Sequence, residues 1–258
     1  KSTNDGTISI EEFRKALNKN VKMVSITHAS NVFGTINPVK EFINLAHKNG
    51  SKIMLDGCQA IPHMKINVEE LGCDFYAFSG HKMLGPTGVG VLYGKERLLE
   101  KMEPYQTGGG IIRTVTMESS TWTSIPHKFE PGTPMIGQVI ALSPAIDYLE
   151  NCLNNHDNKL MDYAIEKMNS INGISIYGNA AERTPILSFN IKGVHSLDLA
   201  HFLDFEGITI RSGHHCCQPL MQALDISACA RASFYFYNTI DEVDFLVEKI
   251  NRAIKVIK

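Results

Sequence analysis

The sequence has 258 residues, of which 43% are hydrophobic and 20% charged, a composition typical of a globular protein with one large domain or two smaller ones. Its 25 basic and 27 acidic residues give a formal net charge of −2, so we expect no nucleic-acid partner and no membrane partner. No apolar run is long enough to span a bilayer, and the six cysteines follow no spacing of a secreted scaffold, which favours a reducing compartment.

The first residues of the chain have the pattern of a segment inside a domain rather than of the start of one. Residues 1–9 are predicted to form a surface turn before a short helix, and the first clear strand is Val21–Thr27. We therefore expect that the natural protein has an N-terminal part before residue 1.

Short apolar runs alternate with helical segments in the first half of the chain. The helix predicted at Pro38–Gly50 begins with proline and ends with glycine, as helices often do. Such alternation with short links predicts a largely parallel sheet. The other elements predicted here are strands at Val21–Thr27, Lys52–Leu55, Phe75–Phe78 and Gly88–Tyr93, and helices at Val68–Gly72 and Lys95–Met102.

Residues 103–137 interrupt this alternation with a glycine run, several prolines and Trp122, and we interpret them as a functional excursion rather than a linker. The remainder is predicted to be a smaller α+β domain with a polar turn at residues 155–159. We place the large domain at residues 1–147 and the small one at residues 148–258. The elements predicted in the small domain and just before it are helices at Gly137–Cys152, Leu160–Ile171, Ser196–Phe205 and Asp241–Ile257, and strands at Ile186–Ile191 and Ile208–Ile210.

Three consecutive predicted strands end in polar clusters, at residues 27–31, 56–59 and 79–82. In open α/β sheets, ligands bind outside the carboxyl ends of the strands, so an aspartate, an amide and a lysine should face one crevice. This set suits pyridoxal phosphate, which needs a lysine amine for a Schiff base and a carboxylate to keep its pyridine nitrogen protonated. Ser79 and His81 could supply ligands for its phosphate.

Each of these residues has a simpler explanation when taken alone. The aspartate could cap the following segment, and the lysine could be an ordinary solvated side chain. His28 and His63 are interpreted as structural histidines, and Cys58 and Cys73 as buried small hydrophobic residues. The combination after consecutive strands is what favours a cofactor site.

The segment Arg211–Pro219 places two thiols beside two imidazoles and close to an arginine. Nearby cations favour the thiolate, which is the nucleophilic form of cysteine. Two histidines and two cysteines could also bind a metal ion. Four neighbouring residues cannot readily surround one tetrahedral ion, so a structural metal is the lesser alternative.

These clusters resemble those of SufS-type cysteine desulfurases. The resemblance extends over essentially the whole chain, and its most specific element is the R-x-G-H-H-C pattern of Arg211–Cys216, which distinguishes the SufS group from the NifS/IscS group. The other matching segments are residues 27–38, 56–60, 78–88, 129–134 and 230–239.

The resemblance implies an aminotransferase-like homodimer of fold type I, dependent on pyridoxal 5′-phosphate, with an α/β large domain built on a mainly parallel sheet and a smaller α+β C-terminal domain. The reaction would convert L-cysteine to L-alanine and leave a persulfide on an enzyme cysteine. Sulfur would pass to a SufE- or SufU-like acceptor and then to the SufBCD scaffold for iron–sulfur cluster assembly. The asparagine- and lysine-rich surface turns are typical of an AT-rich coding genome. Because Suf systems occur in bacterial cytoplasm and in plastids, including apicomplexan ones, this composition slightly favours a plastid-type organelle such as the apicoplast.

The resemblance also implies roles for residues that contact the cofactor. Lys82 would form the Schiff base, Asp56 would pair with the pyridine nitrogen, and Gln59 would hydrogen-bond the phenolic oxygen. Ser79 and His81 would hold the phosphate.

Other implied roles concern the substrate, the sulfur and the partner subunit. Asn31 and Arg231 would bind the substrate carboxylate, which suits a guanidinium group. Cys216 would attack the substrate sulfur, with Arg211 beside its loop. Thr133 would reach the phosphate bound in the partner subunit.

Two departures from the family pattern affect these expectations. The family's ring-stacking histidine and an upstream phosphate-binding threonine have no counterpart in this sequence. Cys217 stands where the family usually has alanine, and it is an alternative nucleophile, although position favours Cys216. Residues 108–129 resemble the hairpin that packs at the partner's active-site entrance.

Other functions stay open at this point. A selenocysteine lyase, or another pyridoxal phosphate lyase, would have the same fold. A fragment or degenerate paralogue would only bind a sulfur-transfer partner, but the intact Lys82, Asp56 and Cys216 argue against degeneracy.

Overall fold

The computed structural model describes residue 3, residues 5–153 and residues 156–257, apart from the side chains of residues 156–158. The helices are α1 (Ile10–Ala16), α2 (Val39–Lys48), α3 (Val68–Leu71), α4 (Glu96–Leu99), α5 (Ile136–Cys152), α6 (His156–Asn169), α7 (Ser196–Phe205), α8 (Gln218–Ala223) and α9 (Ile240–Ile257). The strands are β1 (Met23–Thr27), β2 (Lys52–Asp56), β3 (Phe75–Ser79), β4 (Gly90–Gly94), β5 (Ile112–Val115), β6 (Ser120–Trp122), β7 (Ile174–Tyr177), β8 (Ile186–Ile191), β9 (Arg211–Gly213) and β10 (Cys229–Ser233). Short 3-10 helices lie at Gly80–Met83 and His127–Phe129.

The larger α/β layer is built on a sheet in the order β1-β2-β3-β4. The first three strands are parallel, with Thr27 beside Asp56 and Asp56 beside Ala77. Their carboxyl ends therefore meet at one edge, as the sequence predicted. β4 runs antiparallel to β3, because the ten residues 80–89 that join them are too few for a crossover helix. The predicted α/β class with a mainly parallel sheet is confirmed.

Helix α2 covers one face of this sheet. Its buried residues follow helical spacing: Val39, Phe42, Ile43 and Ala46. They pack with Ile53 and Leu55 of β2 in one apolar cluster. Complete burial of a side chain such as Phe42 contributes about 1.5–3 kcal/mol, so this face holds the helix against the strands whose ends form the site.

The second sheet has the order β7-β8-β10-β9 and is antiparallel throughout. Helices α6, α7 and α9 contribute to its core, with α9 burying residues at helical spacing: Val243, Leu246, Ile250 and Ala253. Within this sheet, Arg231 of β10 lies beside Arg211 of β9. The sheet therefore brings together two segments that the sequence had singled out separately.

In the part of the chain that joins the two sheets, residues 103–137 contain the β5–β6 hairpin, which exposes apolar side chains to solvent. Met117 at its tip is 96% exposed, and Val115 is 65% exposed. Helix α5 follows and also exposes apolar side chains, such as Val139 and Ile140. The predicted boundary between residues 147 and 148 lies inside α5, and the division into domains stays a prediction.

Several element predictions were wrong in the second half. The strand expected at Ile208–Ile210 is instead a connection, and the paired strand β9 begins at Arg211. Strand β10 was missed because its sequence, Cys-Ala-Arg-Ala-Ser, lacks the large β-branched and aromatic residues typical of strands. Strand β7 and helix α8 were missed as well.

Two predicted turns include residues that the structure does not describe. Residues 156–159 of the polar turn expected at residues 155–159 belong to α6, and residue 155 lies outside the described residues. Residues 1, 2 and 4 of the N-terminal turn also lie outside them, whereas the short helix expected there is α1. Within the described ranges, no helix has the length and apolar character needed to cross a membrane.

Candidate active site

The end of β2 forms a tight turn at the carboxyl edge of the large sheet. Asp56 Oδ1 accepts a hydrogen bond from the backbone N–H of Cys58 at 2.9 Å. A Cβ atom at Gly57 would lie 2.0 Å from the ring of Tyr76, so only glycine allows the chain to pass there. The turn thus leaves the Asp56 carboxylate exposed and directs the chain towards Gln59.

The end of β3 lies directly beside this turn. Ser79 Oγ is 3.4 Å from Cys58 Sγ, which joins the two strand ends. The following 3-10 helix buries Met83 and exposes His81 and Lys82. Cys58 was expected to be a buried hydrophobic residue, and that prediction was wrong, because its thiol is half-buried against a polar hydroxyl.

A cavity of about 210 Å³ opens where these strand ends meet the small sheet. Gln59 after β2, Lys82 after β3 and Arg231 of β10 all line it. The other lining residues are Pro62, His63, Ile186, Ser233, Phe234, Tyr235 and Tyr237. Neither His81 nor Thr133 is among the described residues that line this cavity, and Thr133 is exposed.

Arg231 and Asn31 form a direct link between the two sheets. Arg231 Nη1 donates to the backbone oxygen of Asn31 at 2.7 Å. Burial lowers the pKa of the Arg231 guanidinium from its ordinary value. Its Nε is buried without a hydrogen-bond partner among the described residues, so the guanidinium retains an unused donor. A half-buried cation with a spare N–H is suited to binding an anionic group.

The cysteine loop between β9 and α8 has an unusual backbone. His215 and Cys216 both adopt left-handed conformations, with φ of 53° and 59°. Such conformations cost about 1–3 kcal/mol each for residues other than glycine, so surrounding contacts must hold them. Cys216 is exposed, and Arg211 Nη2 lies 3.8 Å from its Sγ.

The two neighbouring thiols have different surroundings. Cys217 is half-buried and packs against an apolar cluster that includes Val32, Phe33 and Met221. Cys229 lies in the same cluster and is fully buried, and burial raises the pKa of its thiol to about 11. In this loop region Cys216 is therefore the thiol that is both accessible and close to a cation.

The two imidazoles of the loop also differ. His214 is exposed, whereas His215 is buried and its Nε2 lies 3.0 Å from the Cys229 carbonyl oxygen. Burial, assisted by the nearby Arg231 charge, lowers the pKa of His215 to about 4, so its ring is neutral near pH 7. The expectation that both imidazoles favour the Cys216 thiolate was wrong for His215, and Arg211 is the cation that contacts the sulfur.

Two further histidines were expected to be structural. His28 is buried with Nδ1 3.0 Å from the hydroxyl of Tyr76, and burial lowers its pKa to about 4, as expected for a structural residue. His63, in contrast, lines the cavity, with its ring centroid 5.0 Å from that of Tyr235. His63, Tyr235 and Tyr237 line the cavity but were not singled out from the sequence, although both tyrosines follow Arg231 closely in the chain.

The described part of the chain contains no group of three or more His, Cys, Asp or Glu side chains placed to hold a metal ion. The cavity instead brings together an amine, an amide and a guanidinium, with a carboxylate and a hydroxyl at the adjoining strand ends.

Comparison with known proteins gives a consistent result. The model of the class-V aminotransferase family matches residues 1–246. A "probable cysteine desulfurase" of Halalkalibacterium halodurans is 50% identical over 253 residues, which cover 96% of this chain and 62% of that protein. A cysteine desulfurase of Haloferax volcanii is 45% identical over 254 residues, covering 96% of this chain and 60% of its own length. The chain thus spans about three fifths of the length of these curated relatives.

Solved structures show the same similarity. The apo structure of a cysteine desulfurase from Thermococcus onnurineus NA1 has a TM-score of 0.93 and 35% identity, covering 99% of this chain and 65% of that one. The Escherichia coli cysteine desulfurase CsdA, crystallised in an S-sulfonic acid form, has a TM-score of 0.90 and 34% identity, covering 97% and 63%.

Proposed function

Because the chain belongs to the class-V aminotransferase family, we propose that it carries catalytic residues of a cysteine desulfurase, which converts L-cysteine to L-alanine and leaves a persulfide on Cys216. The observation that carries this proposal is the exposed Cys216 thiol beside Arg211, in a loop joined to Asn31, which in turn accepts a hydrogen bond from the cavity-lining Arg231. The same cavity contains Lys82 and Arg231, so an amine, a carboxylate-binding group and a nucleophile belong to one connected site.

Class-V aminotransferases depend on pyridoxal 5′-phosphate, and the residues of this site fit that group. When bound, the cofactor supplies an electron sink for the substrate's α-carbon. We assign Lys82 to its covalent attachment, Asp56 to its pyridine nitrogen and Gln59 to its phenolic oxygen. Ser79 Oγ, placed at the adjoining strand end, would contact the phosphate.

The assignments of His81 and Thr133 depend on more than this cavity. Both are exposed, and both are proposed to contact phosphate, His81 within its own chain and Thr133 across a homodimer. The exposed apolar residues of the β5–β6 hairpin and of α5 support a homodimer, because a second subunit could cover them.

Arg231 and Asn31 are proposed to hold the substrate carboxylate. The half-buried Arg231 guanidinium has a spare N–H at its buried Nε, and a charge-assisted hydrogen bond to a carboxylate would satisfy it. Asn31 Nδ2 now donates to the His215 carbonyl oxygen at 2.7 Å, so one side chain contacts the cysteine loop and adjoins the carboxylate position. Binding at this pair would place the substrate beside Lys82 Nζ, the amine that would move protons between substrate carbons.

In the sulfur step, Cys216 Sγ would attack the sulfur of L-cysteine. The new S–S bond forms as the substrate's C–S bond breaks, and the carbon takes up a proton to give L-alanine. The two sulfur atoms remain on the enzyme as a persulfide, so no external oxidant or reductant is needed. Arg211 would stabilise the anionic sulfur during this transfer.

We further propose that the sulfur passes to a SufE- or SufU-like acceptor and to the SufBCD scaffold, in a plastid-type organelle or in bacterial cytoplasm. Exposure of Cys216 supports transfer to a protein acceptor, since a persulfide there could be reached from outside. The SufS-type pattern at Arg211–Cys216 supports this pathway over others.

Lys82→Ala tests the proposed function in the holoprotein expressed from its full reading frame. We expect alanine formation from L-cysteine to fall at least about 100-fold, because both covalent attachment and proton transfer are assigned to Lys82. Lys48→Ala is the matched control, since Lys48 is exposed at the opposite end of the sheet and should keep parental turnover. Unchanged alanine formation in Lys82→Ala would contradict the assignment, as would borohydride labelling of a different lysine in the parent.

A further inference from the structure

His215 lies directly before Cys216 but has no place in the chemistry proposed above. Its side chain is enclosed, with the residue only 2% exposed, whereas its neighbours on both sides are exposed. Its Nε2 must carry the hydrogen of the 3.0 Å contact to the Cys229 carbonyl, because a carbonyl oxygen can only accept. The ring therefore anchors the cysteine loop to the start of β10.

The backbone of the same residue is also fixed. Its carbonyl oxygen accepts a hydrogen bond from Asn31 Nδ2 at 2.7 Å. The left-handed turn at His215 and Cys216 is closed by a 2.9 Å hydrogen bond from the Cys217 N–H to the His214 carbonyl. Histidine enters left-handed conformations more readily than most residues, so its identity suits this position.

The surroundings of the ring argue against a role as an acid or base. Its Nδ1 is buried and has no hydrogen-bond partner among the described residues. Arg211 and Arg231 both oppose a positive charge on it, and burial keeps it neutral near pH 7. A neutral ring with one hydrogen bond to backbone acts through position rather than through proton exchange.

We propose that His215 is a positioning residue for the nucleophile Cys216. Its ring fixes the loop so that Cys216 is held outward beside Arg211, and its carbonyl joins that loop to Asn31. Substrate carboxylate and nucleophile would then be held by one hydrogen-bond network. The inference rests on the proposed function for its catalytic consequence, but the anchoring itself can be measured without any turnover.

Two substitutions separate the components of this anchor. His215→Gln retains a neutral side-chain N–H that can reach the Cys229 carbonyl. His215→Asn tolerates the left-handed backbone, but its side chain is too short to make that contact. His214→Ala is the matched control, because it removes the adjacent, exposed imidazole of the same loop.

Hydrogen exchange of the Cys217 amide in the holoprotein measures the anchoring, and steady-state kinetics measures its consequence. In His215→Asn we expect exchange about tenfold faster and kcat for alanine formation about 10- to 100-fold lower, because a displaced nucleophile reacts slowly. The KM for L-cysteine should change less than kcat, since the ring does not contact the substrate and Arg231 remains to bind the carboxylate. His215→Gln should restore most of both properties, and His214→Ala should change each less than about threefold.

Each outcome bears on one part of the account. Exchange that is unaffected in His215→Asn, or equally affected in His214→Ala, would overturn the anchoring role. A loss of kcat in His215→Gln as large as in His215→Asn would also overturn it, because the ring would then act by more than its hydrogen bond. If the parent protein forms no alanine but the Cys217 amide exchanges faster in His215→Asn than in the parent, the anchor is supported and the proposed desulfurase is rejected.

Discussion

At the scale of single residues, neighbours of the same type differ sharply in this protein. Cys216 is exposed and contacts Arg211, whereas Cys217 packs into an apolar cluster. His214 is exposed, whereas His215 is buried and neutral near pH 7. Along residues 214–217, exposed side chains alternate with buried or half-buried ones, and the backbone at residues 215–216 is left-handed.

His28 provides a residue-scale prediction about pH. Its native pKa is about 4, whereas an unfolded histidine titrates near pH 6.5. Between these values the unfolded chain binds a proton that the native protein does not, so the contribution of His28 to stability is complete above about pH 6.5 and is lost as pH falls towards 4.

His28→Gln removes this titration but keeps a polar side chain. We expect the parent to have the higher melting temperature at pH 7.5, where the His28 ring contacts the Tyr76 hydroxyl at 3.0 Å. The difference should shrink at pH 5, as measured by thermal unfolding of both proteins in matched buffers. A difference that stays constant or widens at pH 5 would contradict the buried, neutral state of His28.

At the scale of elements, Asp74 joins several segments at the edge of the large sheet opposite the site. Its Oδ2 accepts hydrogen bonds from His47 Nε2 of α2 at 2.7 Å and from the Ile53 N–H of β2 at 3.0 Å. Lys95 Nζ, just before α4, lies 3.6 Å from Oδ1. Burial acts to raise the pKa of Asp74, but these partners outweigh it and hold the pKa below the ordinary value.

Asp74→Asn should therefore lower the free energy of unfolding by about 2–4 kcal/mol, since it removes the charge that satisfies two buried contacts and a nearby cation. Glu41→Gln is the control, because Glu41 forms an exposed 4.0 Å pair with Arg14 and should change stability by less than about 0.5 kcal/mol. Urea unfolding of both variants provides the comparison. Similar small losses in the two would show that Asp74 is not a structural centre.

Element prediction from the sequence succeeded where apolar runs were followed by polar clusters. The carboxyl ends of β1, β2 and β3 could be located to within one residue because each is a short, mainly apolar run followed directly by polar residues. The direction of β4 could not, since it depends on a short connection rather than on composition. Strand β10 could not be predicted from the sequence, because its residues are small or polar and its pairing with β8 and β9 is a long-range contact.

At the scale of the whole molecule, the candidate site depends on the junction of two sheets. Asn31 follows β1 of the large sheet. Its backbone oxygen accepts a hydrogen bond from Arg231 of β10, and its side chain donates to the carbonyl of His215 in the loop after β9. A hydrogen bond from Ser188 Oγ to the Val32 carbonyl at 2.6 Å reinforces this junction. Residue types and motif order indicated the members of the site, but their hydrogen-bond partners depend on this junction and could not be predicted from local sequence.

The central claim is that Cys216 receives the sulfur of L-cysteine. Mass spectrometry of peptides from the full-length holoprotein, after brief exposure to L-cysteine without an acceptor, tests it most directly. We predict that the mass of one additional sulfur atom appears on Cys216, is absent in Cys216→Ser, and persists in Cys217→Ala, because Cys217 is half-buried against an apolar cluster whereas Cys216 is exposed. Additional sulfur on Cys217 of the parent, or full alanine turnover in Cys216→Ser, would contradict the account.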